Sequence, residues 1–174
     1  MASAITHAVV GAGIGLACTA LPARSRPATI RLVSLGMLFA VLPDADVVTF
    51  AWVDYAHLLG HRGLFHAPAF YAAVSAAVAL GYPRETRRVI FACVSLAMLS
   101  HSLLDALTNG GLGIAFFAPF SSTRFFFPWR PIPVSPLSVG AFFSDRGLHI
   151  LSVEAFFGAP VFALGLLLHR RARR

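Results

Sequence analysis

The chain has no lysine, only two cysteines and little charge of either sign, and each shortage narrows what it can be. Charged residues make up 12% of its 174 residues, against roughly 25% in an ordinary soluble domain. Hydrophobic residues make up 57%, and the mean hydropathy is +0.76, so the composition points to the bilayer as solvent. Cys18 and Cys93 lie inside separate apolar runs with no Cys-x-x-Cys spacing, which argues against a thiolate metal site or redox centre and reads as packing. The first apolar run lacks the basic leader and small-residue cleavage site of a secretory signal peptide and is expected to be retained. Repeats and low-complexity tracts are also missing.

What is present is organised. Apolar runs long enough to cross, or nearly cross, a bilayer occur at 4–21, 28–43, 67–83, 89–107 and 150–168. The expected fold is therefore all-α: a polytopic membrane helical bundle of about five transmembrane helices forming one domain over residues 1–174. Residues 47–59 read as a further, interfacial element. The connection over 108–149, with Phe125, Phe126, Phe127, Pro128 and Trp129, is too apolar for a solvated linker and is expected at the membrane interface. It reads either as an anchor or as a lid over a site. In the first run, Gly11 and Gly15 form a Gly-x-x-x-Gly pair that lets helices approach closely in lipid.

All fourteen basic residues are arginines, set against seven acidic residues for a net charge of +7. That excess alone would suit a nucleic-acid partner, but the arginines sit between apolar runs as in membrane loops, so no nucleic acid is expected. Ten fall in Arg24, Arg26 and Arg31, in Arg84, Arg87 and Arg88, and in Arg170, Arg171, Arg173 and Arg174, all on one side if the runs alternate. By the positive-inside rule that side is cytoplasmic and the N-terminus is outside.

The ionisable residues that remain gather at the opposite ends of the runs. His7 opens the first, Asp44 and Asp46 close the second, His61 and His66 precede the third, His101 and Asp105 end the fourth, and Glu154 begins the fifth. Such residues are costly in a membrane and mark function when they converge. His101 and Asp105 are spaced i, i+4, so both can reach one metal from one helix face, or simply hydrogen-bond. Asp44 and Asp46 follow Pro43, where two carboxylates can turn to a common centre and demand a cation, or can serve as a cap and a solvated acid. His61 and His66 flank Arg62 and Gly63, and either ligate metal or touch lipid phosphates. Glu154 is open between ligand and partner of an arginine such as Arg146. His57, His149 and His169 read as interfacial or tail residues.

These elements, in this order, resemble the YdjM-type inner-membrane family of metal-dependent hydrolases of bacteria and archaea. The resemblance covers most of the chain: Thr6-His7 with following glycines, Leu42-Pro43-Asp44-Ala45-Asp46, His61-Arg62-Gly63-Leu64-Phe65-His66, His101 with Asp105, and Pro119-Phe120-Ser121. Phe65 and Ala67 stand where the family often has Thr and Ser, so no hydroxyl role is expected there. The family is in turn distantly similar to zinc-dependent phospholipases C and single-strand-specific zinc nucleases, which implies phosphoester hydrolysis at the inner membrane.

The candidate metal ligands are thus His7, Asp44, Asp46, His61, His66, His101, Asp105 and Glu154. They exceed what one tetrahedral ion uses, so two zinc ions are expected, with manganese or iron suited to the same nitrogen and oxygen donors. A metal-activated water would attack, Asp44 or Asp46 would act as base, and Arg62 would hold a phosphate of a membrane lipid or lipid-linked substrate. The alternatives are a non-enzymatic metal-binding scaffold, a metal transporter, or an acyl or glycosyl transferase using the same centre. The sequence does not address oligomeric state.

Overall fold

The computed structural model describes residues 1–22, 27–136 and 139–174, so Arg24 and Arg26 of the first basic cluster, and Leu137 and Ser138 of the long connection, lie outside the described residues. The architecture is all-helical: α1 (Ala4–Cys18), α2 (Thr29–Val41), α3 (Pro68–Leu80), α4 (Arg87–Ala106), α5 (Val139–Phe142) and α6 (Asp145–Ala172). Local chemistry sets several ends. Ser3 caps α1 by accepting from the Thr6 N–H, Ser144 caps α6 by accepting from the Gly147 N–H, and Pro68 occupies the first turn of α3, where its missing N–H is harmless.

The five expected apolar runs form five apolar helices, but among the described residues only three are long and apolar enough to cross a bilayer: Thr29–Thr49, Arg87–Ala106 and Asp145–Ala172. Helices α1 and α3 have 15 and 13 residues. At about 1.5 Å per residue they reach only ~20 to 22 Å, short of the ~30 Å hydrocarbon core. The reading of 47–59 as a separate element is corrected, because a 3-10 helix, Leu42–Ala51, prolongs α2 through Pro43 and carries it past Asp44 and Asp46.

Helix α1 packs on α2, α4 and α6, while α3 packs on α4. The glycine pair in α1 does what its spacing predicts: a Cβ on Gly11 would lie 2.2 Å from the Gly36 carbonyl oxygen, and one on Gly15 would lie 2.4 Å from that of Leu32. On another face, Gly165 of α6 meets the backbone of Gly13 just as closely. Leu32, Ile90, Val94 and Met98 fill the core among α1 to α4, with Cys18 and Cys93 buried as packing residues. The outer face of α6 carries Phe156 and Leu164, 74% and 57% exposed, as a lipid-facing helix does.

Candidate metal centre

One end of the bundle gathers the start of α1, the 3-10 extension of α2, the turn before α3 and the last turn of α4. Because the extension winds at three residues per turn, Asp44 and Asp46 project about 120° apart and serve two directions from one short stretch. His101 and Asp105, one α-helical turn apart, share the inward face of α4, and both are fully buried.

Two groups of ligand atoms result: Asp44, His66, His101 and Asp105 form the first, and Asp46, His61 and His66 the second. In the first, the Nε2 atoms of His66 and His101 face each other at 3.1 Å, and Asp44 Oδ1 lies 3.7 Å from the former and 3.4 Å from the latter. The far nitrogen of His101 is hydrogen-bonded, and that of His66 faces a carboxylate. His101 Nδ1–H donates to the Ala40 carbonyl at 2.7 Å, and His66 Nδ1 lies 3.2 Å from Asp46 Oδ2. Both rings therefore direct Nε2 to one point, with the Ala40 carbonyl fixing the His101 tautomer from behind and Asp46 facing His66 from behind.

In the second group, His61 Nδ1–H donates to Asp46 Oδ1 at 2.6 Å, a direct hydrogen bond. Burial alone would pull the His66 imidazole down, but Asp44 and Asp46 on either side prevail and push it up to about 9. Tyr71 and Ser102 add support that the sequence reading missed. The Tyr71 hydroxyl pairs with Ser102 Oγ, which donates to the His66 carbonyl at 2.8 Å. Ser102 stands inside the Ser-His-Ser-Leu-Leu-Asp stretch, but nothing in its spacing distinguishes a support of His66 from a packing residue.

His7 stacks on His101 with ring centroids 3.9 Å apart and brings Nε2 to 3.5 Å from Asp105 Oδ1. Neither of its ring nitrogens makes a hydrogen bond, so it borders the first group as a spare donor.

Arg62 is fully buried, at φ 62, a left-handed conformation that costs a residue with a Cβ about 1–2 kcal/mol. Its donors are all taken. Nε–H and Nη2–H reach Asp105 Oδ2, each at 3.1 Å; Nη1 donates to the Gly110 and Leu112 carbonyls, and Nη2 to Thr108 Oγ1. The expected phosphate-holding role needs donors that this geometry gives to Asp105 and to the start of the long connection.

Glu154 comes to the same end of the bundle but joins neither group. Its carboxylate accepts from the Ser3 N–H at 2.7 Å, from the Ser3 hydroxyl and from the Thr6 hydroxyl at 2.7 Å, closing the positive end of α1 from α6.

The charges decide whether a cation fits. Asp44, Asp46 and Asp105 are buried against one buried arginine, which leaves two negative charges around His66 and His101 once His66 has released its proton. Both oxygens of Asp44 and one of Asp46 lack a hydrogen bond. Donors bound to a tetrahedral ion at ~2.0–2.1 Å lie about 3.3–3.4 Å apart, and the 3.1 to 3.7 Å separations among Asp44, His66 and His101 bracket that figure, while the whole first group lies within 4.8 Å. A divalent cation matches the first group in charge and donor type, and these three residues in spacing.

Residues 1–173 match the family described as YdjM inner membrane protein. The inner membrane protein YbcI of Escherichia coli (strain K12) is 34% identical, with 97% of this chain and 95% of that protein covered. No solved structure matches the chain.

Proposed function

The chain belongs to the YdjM inner membrane protein family, and from that premise and the geometry of the centre we propose that it is a membrane-bound metal-dependent hydrolase acting on a phosphoester of a membrane lipid or lipid-linked substrate. The observation that carries the reading is the pair of buried imidazoles aimed at one point 3.1 Å apart within uncompensated carboxylate charge. His66, His101 and Asp105 would hold one divalent cation, zinc before manganese or iron, with His7 beside them. The second group is better suited to orientation than to a second ion, because Asp46 and His61 already touch at 2.6 Å. One ion thus replaces the two expected from the number of ligands.

A cation held there supplies Lewis acidity and lowers the pKa of a water. The chain's own residues do the rest. Asp44 has both oxygens without a hydrogen bond and keeps 7% exposure, so it is placed to accept a proton from a water at the mouth of the centre. Asp46 and Ala40 hold the two rings in register. Arg62 neutralises and positions Asp105 instead of contacting substrate. The basic C-terminus of α6 lies at the other end of the bundle, which by the positive-inside rule supports a centre at the outer face of the inner membrane.

Complete burial of His66, His101 and Asp105 favours a second reading, a metal that only staples helix ends. Asp44 separates the two readings, since a closed structural site uses it as a fourth ligand and a hydrolase keeps that position open. Purified protein should contain one metal per chain and cleave a lipid phosphoester, and Asp44→Asn should keep the metal while losing turnover. If Asp44→Asn empties the site and the wild type cleaves nothing, the scaffold reading replaces the hydrolase.

A further inference from the structure

The bundle is open on one side. Helices α2 and α3 each pack on α4, but among the described residues they do not pack on each other. Between the 3-10 extension of α2 and helix α3 runs a groove of about 320 Å³, and its floor is Met98 of α4 with Phe70 and Val74 of α3. Its lip is Leu42 and Val48, 40% and 66% exposed on a segment long and apolar enough to cross a membrane. Apart from Thr49, its only polar lining residue is Asp46, whose carboxylate orients His66 and His61.

We propose that this groove is the seat of one hydrocarbon chain of a membrane phospholipid, which enters sideways between the 3-10 extension of α2 and helix α3 and thereby brings its phosphate to the metal centre. The proposal rests on the hydrolase reading for the fate of the phosphate and on the groove alone for the chain. A groove apolar along its length, with Asp46 of the metal centre among its lining residues, is matched to the hydrocarbon part of an amphiphile, since hydrocarbon transferred there leaves one apolar surface for another. A water-soluble phosphoester would leave the apolar length unused. The groove adjoins the centre through Asp46, which lines the one and holds His61 and His66 in the other. The start of the long connection, read from sequence as an anchor or a lid, also clamps Arg62 through the carbonyls of Gly110 and Leu112.

The test uses metal-loaded full-length protein in phosphatidylcholine nanodiscs doped with phosphatidic acid that carries a diazirine in one acyl chain. Photolabelling should concentrate in residues 42–49 and 65–74, be competed by unlabelled phosphatidic acid, and resist competition by diacylglycerol, which lacks the phosphate. Val74→Trp, which fills the floor, should lose most of that labelling with its metal content unchanged. Val48→Trp at the exposed lip disturbs no core residue and should lose labelling likewise, which covers the case in which the floor variant fails to fold. Labelling spread evenly over the grooved side and the lipid face of α6, or unaffected by both variants, would overturn the proposal by making the groove an ordinary lipid contact. Concentrated labelling without any phosphoester cleavage would sustain the groove and remove the hydrolase reading alone.

Discussion

The two ends of the bundle carry similar side chains and do different things with them. At the far end, a cavity of about 190 Å³ is bordered by Cys18, Thr19, His169 and Arg173. His169 there pairs through Nδ1 with the Thr19 hydroxyl at 2.8 Å, and among the described residues no carboxylate joins it. At the near end, His66 and His101 meet three aspartates and a single arginine. A histidine is suited to hold a cation when carboxylates outnumber cations around it. A histidine with a hydroxyl partner beside arginines stays a surface group.

The sharpest way to break that contrast is to remove a donor from each end. His101→Ala or Asp105→Ala should abolish metal retention by the purified protein, as read by elemental analysis, whereas His169→Ala should leave it at the wild-type level. Equal metal content in all three variants would cancel the distinction between the ends.

The next largest effect concerns the arginines. Arg62→Ala leaves Asp105 buried without its partner and should destabilise the protein by about 3–5 kcal/mol in detergent unfolding. Arg173→Ala, whose contact to Thr29 is exposed and long at 3.4 Å, should change stability by less than about 0.5 kcal/mol. A stable Arg62→Ala variant that has lost only catalysis would return Arg62 to the phosphate-holding role.

A smaller effect is expected behind the ligands. Asp46→Asn should weaken metal binding by about 10- to 100-fold without abolishing it, because Asp46 orients His66 from behind. Complete loss in a titration would instead make Asp46 a ligand and revive a second ion.

The mildest test is pH. His66 holds a proton up to about 9 in the metal-free protein and must release it to bind a cation, so affinity should rise with pH. For one released proton the slope is about tenfold per unit, flattening above that pH. The metal-free protein should show the opposite trend in stability. The His66 contribution is complete below the unfolded value of 6.5 and is lost as pH rises through about 9. A calorimetric titration in two buffers of different ionisation enthalpy counts the proton.

Much of this was legible in residue order. Hydropathy located all five apolar helices, because burial in lipid demands long apolar runs whatever they pack against. The i, i+4 spacing put His101 and Asp105 on one face, and the Gly11 and Gly15 spacing marked the close approach to α2. Helix lengths were less legible: the run over 67–83 contains a 13-residue helix, since apolar composition does not say where a helix stops.

What the tertiary structure alone decided is how the charged residues divide their work. Glu154 and the N-terminus of α1 lie some 150 residues apart in sequence, and only packing of α6 on α1 makes one the cap of the other. Arg62 looked available for substrate because five donors on a charged side chain usually face solvent. Its burial against Asp105, with the Gly110 and Leu112 carbonyls closing around it, depends on long-range contacts that no spacing encodes. The chain's own order determined which residues could become a site, through the periodicity of helices and the expense of charge in lipid. The fold determined which of them aim at a cation and which only hold the others in place, because a side chain's role depends on neighbours distant in sequence and on the direction each one faces.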